Sequence, residues 1–217
     1  MKNKAIIFDL DGVIVDTAKY HFIAWQKIAK DVGFDFTHAD NEKLKGVSRV
    51  QSLELILQMA NKHLSQAEKD KLLLEKNTHY LSLISDMNSS ELLPGIADLL
   101  NYLVQNKISF ALGSASKNAR RILDALDLTR KFTAIVDGTD VSKAKPDPEV
   151  FLIAAKKLDY QPKNCIVIED SKAGIDAANS VKMISVGIGD KKVLKNADFV
   201  LHSTSELRPE WIENLLN

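Results

Sequence analysis

Six apolar runs of strand length are the feature that most constrains the fold of this chain. Each run is continuous rather than alternately apolar and polar, which indicates strands that are buried on both faces. Helix-like stretches alternate with most of them, so the pattern predicts an α/β protein with a doubly wound parallel sheet. The predicted strands are residues 5–8, 108–112, 134–136, 165–168, 183–186 and 199–201, and the predicted helices are residues 96–106, 118–126, 148–158 and 173–180.

The segment between residues 15 and 92 interrupts this rhythm. It contains no strand-like run and is typical of several helices, at about 19–32, 50–61 and 68–85. Apolar residues recur with helical spacing on one face of the first, and Gly33 is suited to end it. We predict a small all-helical cap domain, residues 15–92, inserted into a core domain made of residues 1–14 and 93–217. The two connections between these domains would form a hinge.

Charge and hydropathy narrow the class of partner. Lys and Arg together number 29, as do Asp and Glu, so the formal net charge is zero and no basic nucleic-acid surface or polybasic membrane anchor is indicated. No apolar stretch approaches the ~18 residues that span a membrane. The N-terminal residues lead directly into a strand-like run without a signal region, which predicts a cytoplasmic protein. We therefore expect a small-molecule partner, no nucleic acid and no membrane.

Residues with catalytic chemistry follow four separate strands. Ligands of open α/β sheets bind beyond the carboxyl ends of the strands, so residues at those ends are expected to meet. Such convergence from distant parts of the chain is more specific than any one motif. The residues at the strand ends are Asp9, Asp11 and Gly12 after the first strand, Ser114 to Asn118 after the second, Lys145 in the loop after the third, and Glu169 with Asp170 after the fourth.

The acidic residues of this set predict a Mg²⁺ site. Asp9 and Asp11 are two positions apart, so their side chains project the same way from an extended backbone. Neighbouring carboxylates repel each other unless a cation or a proton lies between them. Glu169 and Asp170 add further hard oxygen ligands of the kind that Mg²⁺ prefers. A metal held by these four residues would leave one aspartate free to attack and the other to move protons.

Each motif alone has a simpler explanation. Asp-Gly after a strand is common in hairpin turns, and Glu169 to Ser171 could merely cap a helix. An EF-hand is excluded because Tyr20 occupies the position of its closing glutamate. Residues 113–117 lack the second glycine of a P-loop, although 114–118 could still bind phosphate through hydroxyls and helix N-terminal amides. Lys145 alone could be a solvated loop lysine.

Taken together and in order, the motifs resemble those of the haloacid dehalogenase superfamily. The residues that carry this resemblance are Asp9-Leu10-Asp11-Gly12-Val13, Ser114, Lys145 before Pro146, and Glu169-Asp170. Their spacing spans nearly the whole chain, and the helical segment resembles the cap inserted into the Rossmann-like core of that superfamily. Three further stretches resemble its β-phosphoglucomutase subfamily: Thr17-Ala18-x-Tyr20-His21-Phe22-x-Ala24-Trp25, Leu44-Lys45-Gly46-Val47-Ser48-Arg49 and Ser114-Ala115-Ser116-Lys117-Asn118.

This resemblance implies a role for each matching residue. Asp9 would be the nucleophile that forms an aspartyl-phosphate, and Asp11 the general acid and base. Mg²⁺ would be held by the side chains of Asp9, Glu169 and Asp170 and the backbone carbonyl of Asp11. Ser114 and Lys145 would bind the transferring phosphoryl group. The implied substrate-binding residues are His21, which would link the hinge to Asp11, Trp25, Lys45, Gly46, Val47, Ser48, Arg49 and Lys76 of the cap, and Ser116, Lys117 and Asn118 of the core.

The implied activity is a mutase that converts β-glucose 1-phosphate into glucose 6-phosphate through bound glucose 1,6-bisphosphate, acting as a monomer. A Mg²⁺-dependent phosphatase for sugar phosphates or phosphoglycolate would use the same aspartate, so only the cap separates the two, and Arg49 favours the mutase. A non-catalytic phosphate-binding module is a third possibility. A response-regulator receiver does not fit, because its acidic pair precedes its acceptor aspartate. We also predict that Ser48 caps a helix and that the Lys145–Pro146 bond is cis.

Overall fold

A parallel sheet forms the centre of the molecule. The computed structural model of the protein describes residues 4–45 and 47–217. Neighbouring strands all run parallel, in the order β3-β2-β1-β4-β5-β6, which confirms the predicted sheet. Its strands are β1 (Ala5–Phe8), β2 (Phe110–Gly113), β3 (Ala134–Val136), β4 (Cys165–Glu169), β5 (Ile184–Ile188) and β6 (Phe199–Leu201).

Helices account for a large share of the other described residues. They are α1 (Ala18–Asp31), α2 (His38–Glu42), α3 (Arg49–Met59), α4 (Gln66–Leu83), α5 (Ile96–Gln105), α6 (Ala119–Ala125), α7 (Glu149–Leu158), α8 (Lys172–Ser180) and α9 (Pro209–Leu216). The predicted strands and helices are all present, with ends that differ by no more than two residues. Helices α2 and α9 were not predicted. None of the described helices is both long enough and apolar enough to cross a membrane.

Strand β1 lies in the middle of the sheet and is covered on both faces. Its residues are fully buried, and they divide between two hydrophobic clusters. Ile6 and Phe8 pack with residues of α5, α6 and α9, whereas Ala5 and Ile7 pack with residues of α7 and α8. This division explains why every residue of the strand is apolar, because the side chains on each face of the sheet pack against helices.

The inserted segment forms a further cluster of its own from residues of α1, α3, α4 and their loops, among them Trp25, Ile28 and Ile56. Other residues of this segment, such as Tyr80 and Ile84, pack instead with the cluster of the sheet. The predicted division of the chain at residues 14/15 and 92/93 stays a prediction, which the separate cluster supports. The two connections lie side by side, because Val15 pairs with Leu92 in an antiparallel bridge.

Candidate active site

The acidic centre begins where β1 ends. The backbone N–H of Asp9 donates to the carbonyl of Ile168 at 2.9 Å, which keeps Asp9 in register with β4. Lys145 is buried beside it, with Nζ at 2.6 Å from Oδ1 of Asp9 and 3.3 Å from Oε2 of Glu169. Burial by itself would lower the pKa of Lys145, but the charges of Asp9 and Glu169 raise it above its ordinary value. Lys145 therefore remains a cation between two carboxylates.

The carboxylates of Asp9, Glu169 and Asp170 fit a divalent cation. Each can place one oxygen so that all three lie within 4.8 Å of one another. Burial raises the pKa values of Glu169 and Asp170, and the charge of Asp9 adds to the effect. This repulsion is the physical sign of a cluster that a positive ion would stabilise. Hard oxygen donors and a small, largely buried site suit Mg²⁺.

Two glycines make room for these carboxylates. Gly12 has a φ of 77°, a backbone conformation that favours glycine, and a Cβ at this position would collide with the carboxylate of Asp170. A Cβ on Gly174, in the first turn of α8, would collide with the carboxylate of Glu169. The sequence pattern drew attention to Gly12 but not to Gly174, which becomes important only because α8 packs against the end of β4.

Asp11 lies at the boundary between the sheet and the inserted helices. Burial, reinforced by the charge of Asp9, raises its pKa to about 7. The hydroxyl of Thr17 donates to Oδ1 of Asp11. Nδ1 of His21 lies 2.8 Å from Nζ of Lys76, and the predicted link from His21 to Asp11 stays a prediction. Thr17 was part of the matching stretch, but the sequence carried no signal for its contact with Asp11.

Lys76 presents a buried amine from α4. Its side chain is in contact with aromatic rings, at 4.8 Å from the ring centroid of Trp25 and 4.6 Å from that of Tyr80. Burial lowers its pKa to about 7, and the nearby charge of Arg49 contributes to the same shift. Lys76 therefore changes its charge state near neutral pH, and an anion beside it would favour the protonated form.

Arg49 lies at the start of α3. Ser48 caps that helix, as predicted, by accepting from the backbone N–H of Gln51 at 3.3 Å. The first helical residue is therefore Arg49, whose cation opposes the helix dipole and gains nothing from it. Its side chain is half-buried, and burial lowers its pKa. A bound anion would offset both unfavourable effects.

The segment after β2 lies opposite these cap residues. The backbone N–H of Ser114 donates to the carbonyl of Val136 at 3.0 Å, which ties the segment to β3. The hydroxyls of Ser114 and Ser116 accept from backbone N–H groups two residues further along, at 3.1 and 3.2 Å. Nδ2 of Asn118 donates to Oδ1 of Asn77 in α4 at 3.0 Å. Asn77 was not predicted, since only the folded chain brings it to this segment.

A cavity of about 1090 Å³ joins the two sides. Three of the predicted site residues are exceptions: Lys145 and Glu169 are buried beside Asp9, and Gly46 lies outside the described residues. Lys45 reaches across, with Nζ at 3.5 Å from Oδ2 of Asp170. The Lys145–Pro146 bond is cis, which confirms that prediction. The other predicted site residues line the cavity: Asp9, Asp11, His21, Trp25, Lys45, Val47, Ser48, Arg49, Lys76, Ser114, Ser116, Lys117, Asn118 and Asp170.

Comparisons with known proteins agree with this geometry. Residues 3–182 match the family model described as haloacid dehalogenase-like hydrolase. The β-phosphoglucomutase of Bacillus subtilis is 47% identical over 211 residues, which cover 96% of this chain and 93% of the relative. A phosphorylated carbohydrates phosphatase of Thermotoga maritima is 29% identical, over 98% of each chain. The crystal structure of β-phosphoglucomutase from Clostridium difficile has 48% identity and a TM-score of 0.94, covering 99% of this chain and 97% of that one.

Proposed function

From the premise that the chain belongs to the haloacid dehalogenase-like family and, within it, to the β-phosphoglucomutases, we propose that it interconverts β-glucose 1-phosphate and glucose 6-phosphate. The observation that carries this proposal is the two-ended cavity. Asp9, Asp11 and Asp170 line one end, where Lys145 is buried behind Asp9, and Arg49 lines the other. A sugar with a phosphate at each end matches such a cavity in either of two orientations.

Asp9 is the nucleophile in this proposal. Lys145 holds Oδ1, so the second carboxylate oxygen is free to attack phosphorus. The bond between phosphorus and the sugar oxygen breaks as the bond to Asp9 forms, and Lys145 with Ser114 stabilises the phosphoryl oxygens. Bound through Asp9, Glu169 and Asp170, Mg²⁺ would supply positive charge for the same oxygens.

Asp11 moves the proton. A carboxyl group with a pKa of about 7 can both donate and accept a proton near neutral pH. It protonates the departing sugar oxygen in one half of the reaction. In the other half it takes the proton from the sugar hydroxyl that attacks the aspartyl-phosphate. The hydroxyl of Thr17 orients the carboxylate for both steps.

The helical segment supplies the second phosphate site. Arg49 would bind the phosphate that is not being transferred, together with Ser116, Lys117 and Asn118. Glucose 1,6-bisphosphate would form after the first transfer and rebind in the opposite orientation for the second. Closure of the helical segment over the strand ends would restrict water at the aspartyl-phosphate, which is what a mutase needs and a phosphatase does not.

A product assay tests the proposal. The enzyme is given β-glucose 1-phosphate, Mg²⁺ and a trace of glucose 1,6-bisphosphate, and the amounts of glucose 6-phosphate and free phosphate are followed together. A mutase forms glucose 6-phosphate with little free phosphate. Faster release of free phosphate would instead assign the chain to the phosphatases of this family, to which the 29% identical Thermotoga relative belongs.

A further inference from the structure

We propose that Arg120 and Asp137 are positioning residues that hold residues 114–118 in the conformation that binds the second phosphate. This inference rests on the proposed function, since it concerns the phosphate-binding segment of the same site. Neither residue lines the cavity, so both would act through that segment rather than on the substrate. A charge network centred on the buried carboxylate of Asp137 connects α6 to the end of β3, and its arginine, Arg120, is partly exposed.

Asp137 is the buried centre of the network. It directly follows β3, at the same edge of the sheet as Asp9, and its side chain is only 2% exposed. Its Oδ1 accepts from the backbone N–H and the hydroxyl of Thr139, at 2.8 and 2.6 Å. Its Oδ2 lies 3.0 Å from Nε of Arg120. A buried carboxylate needs such partners, and here its charged partner comes from another element.

Arg120 connects a second carboxylate to the first. Its Nη2 donates to Oδ2 of Asp140 at 2.7 Å and to the carbonyl of Ile135 at 3.2 Å. The same oxygen of Asp140 accepts from the backbone N–H of Asp137 at 3.0 Å. The guanidinium therefore separates two carboxylates that would otherwise repel each other across a short loop. Its planar arrangement of donors suits this bridging contact.

The loop of residues 137–140 touches the phosphate-binding segment directly. The backbone N–H of Gly138 donates to the carbonyl of Ser116 at 3.1 Å. A Cβ on Gly138 would collide with the carbonyl of Ala115, so the two backbones are in close contact. Arg120 is itself the second residue of α6, which starts directly after residue 118. The segment is thus held from both sides, by the loop and by the helix that Arg120 joins to it.

Loss of the guanidinium should therefore move residues 115–118 but leave the centre at Asp9 in place. Without Arg120, Asp137 and Asp140 repel each other, and Gly138 moves with the loop that carries them. Ser114 is held separately, by the carbonyl of Val136 in the sheet. Chemistry that needs only Asp9, Ser114 and Lys145 should accordingly be preserved. Binding that needs the second phosphate should become weaker.

The test compares Arg120→Ala with Arg121→Ala. Arg121 is the next residue of α6, is exposed, and gives the same loss of charge. We expect Arg120→Ala to raise the KM for β-glucose 1-phosphate by about threefold to tenfold, as for the loss of one charged hydrogen bond. Hydrolysis of acetyl phosphate, which has no second phosphate, should change by less than about twofold. Arg121→Ala should match the wild type in both assays.

A cycle of variants separates positioning from general stability. Asp137→Asn should raise KM as Arg120→Ala does, and the double variant should add little more, because the two side chains act as a pair. Arg120→Lys should have a KM between those of the wild type and Arg120→Ala, since one ammonium cannot bridge both carboxylates. Glucose 6-phosphate binding, measured by calorimetry with Mg²⁺, should weaken in parallel with the rise in KM.

Two results would overturn the inference. One is an unchanged KM and an unchanged glucose 6-phosphate affinity in Arg120→Ala. The other is an equal loss of sugar-phosphate and acetyl phosphate turnover that follows a lower melting temperature, which would make the network purely structural. Failure of the proposed function is recognised separately, because the wild type itself would then form no glucose 6-phosphate.

Discussion

The two ends of the cavity differ in how their charges are compensated. At the sheet end, Lys145 contacts both Asp9 and Glu169, and strands and tight backbone contacts hold the group together. At the helical end, Lys76 and Arg49 form no ion pair with any residue in 4–45 or 47–217, and both have lowered pKa values. The first end is an assembled catalytic centre with excess negative charge. The second consists of two basic side chains, one of them buried, that a bound anion would stabilise.

This difference suggests a division of labour. Under the proposed function, the sheet end would transfer phosphoryl groups from any small phosphodonor once Mg²⁺ is bound. The helical end gains stability only when a substrate phosphate arrives, so its binding energy can be used to bring the inserted helices and the core together. Variants at the sheet end should therefore remove the chemistry itself, and variants at the helical end should remove the preference for a phosphorylated sugar over water.

The largest effect is expected from Asp9→Asn, which tests whether the sheet end alone carries the chemistry. Asparagine keeps the shape of the side chain but is not a nucleophile, so turnover should fall by about 10³-fold or more. No phosphoenzyme should form when the variant is incubated with acetyl phosphate and Mg²⁺ and examined by intact-protein mass spectrometry. Near-normal isomerisation in this variant would rule out an aspartyl-phosphate at Asp9.

Asp11→Asn sharpens the same comparison by separating proton transfer from metal binding. We expect isomerisation to fall by about 10²–10⁴-fold, the usual contribution of a general acid and base. The Mg²⁺ affinity, measured by calorimetry, should remain close to that of the wild type, because the side chains of Asp9, Glu169 and Asp170 are unchanged. A variant that lost its metal but transferred phosphate normally at saturating Mg²⁺ would show that the role assigned to Asp11 is wrong.

Arg49→Ala tests the helical end. Loss of the contact with the second phosphate should reduce kcat/KM for β-glucose 1-phosphate by about 10–100-fold, since that binding energy also promotes closure. Slow hydrolysis of acetyl phosphate should stay nearly intact. Lys43→Ala removes an exposed cation just after α2 and serves as the control. If Arg49→Ala lowered both activities equally, the two ends would not be functionally separate.

The smallest effect concerns stability and follows from Lys76. Its pKa of about 7 in the folded protein lies below the ordinary value of 10.5, so between these pH values the unfolded chain binds more protons. The free energy of unfolding should therefore rise with pH over that range. Lys76→Met should remove this rise and stabilise the ligand-free protein by about 1–2 kcal/mol at pH 7.5.

Urea unfolding at pH 7.5 and at pH 10 measures this effect. The stability difference between Lys76→Met and the wild type should shrink toward the higher pH, where Lys76 is neutral in the folded protein and increasingly neutral in the unfolded chain. Lys71→Met, an exposed lysine on the same helix, should show no such pH dependence. A destabilised Lys76→Met at both pH values would mean that a partner in the folded protein compensates this amine.

The sequence by itself determined the sheet and the reacting centre. Continuous apolar runs specify buried parallel strands, and parallel strands bring their carboxyl ends to one edge, whatever the distance along the chain. That is why Lys145 could be predicted near Asp9, although 136 positions separate them. The positions of motifs at strand ends follow from local apolar patterns and from the rule that parallel strands end at one edge of the sheet. Both can be applied to the sequence alone.

The contacts between the inserted helices and the core were decided only by the tertiary structure. Thr17 donates to Asp11, Asn118 donates to Asn77, and Lys45 approaches Asp170. Each of these depends on how the inserted segment with α1 to α4 is placed over the strand ends. That placement follows from packing between the helices and the strand ends, which side-chain periodicity within a single helix does not specify.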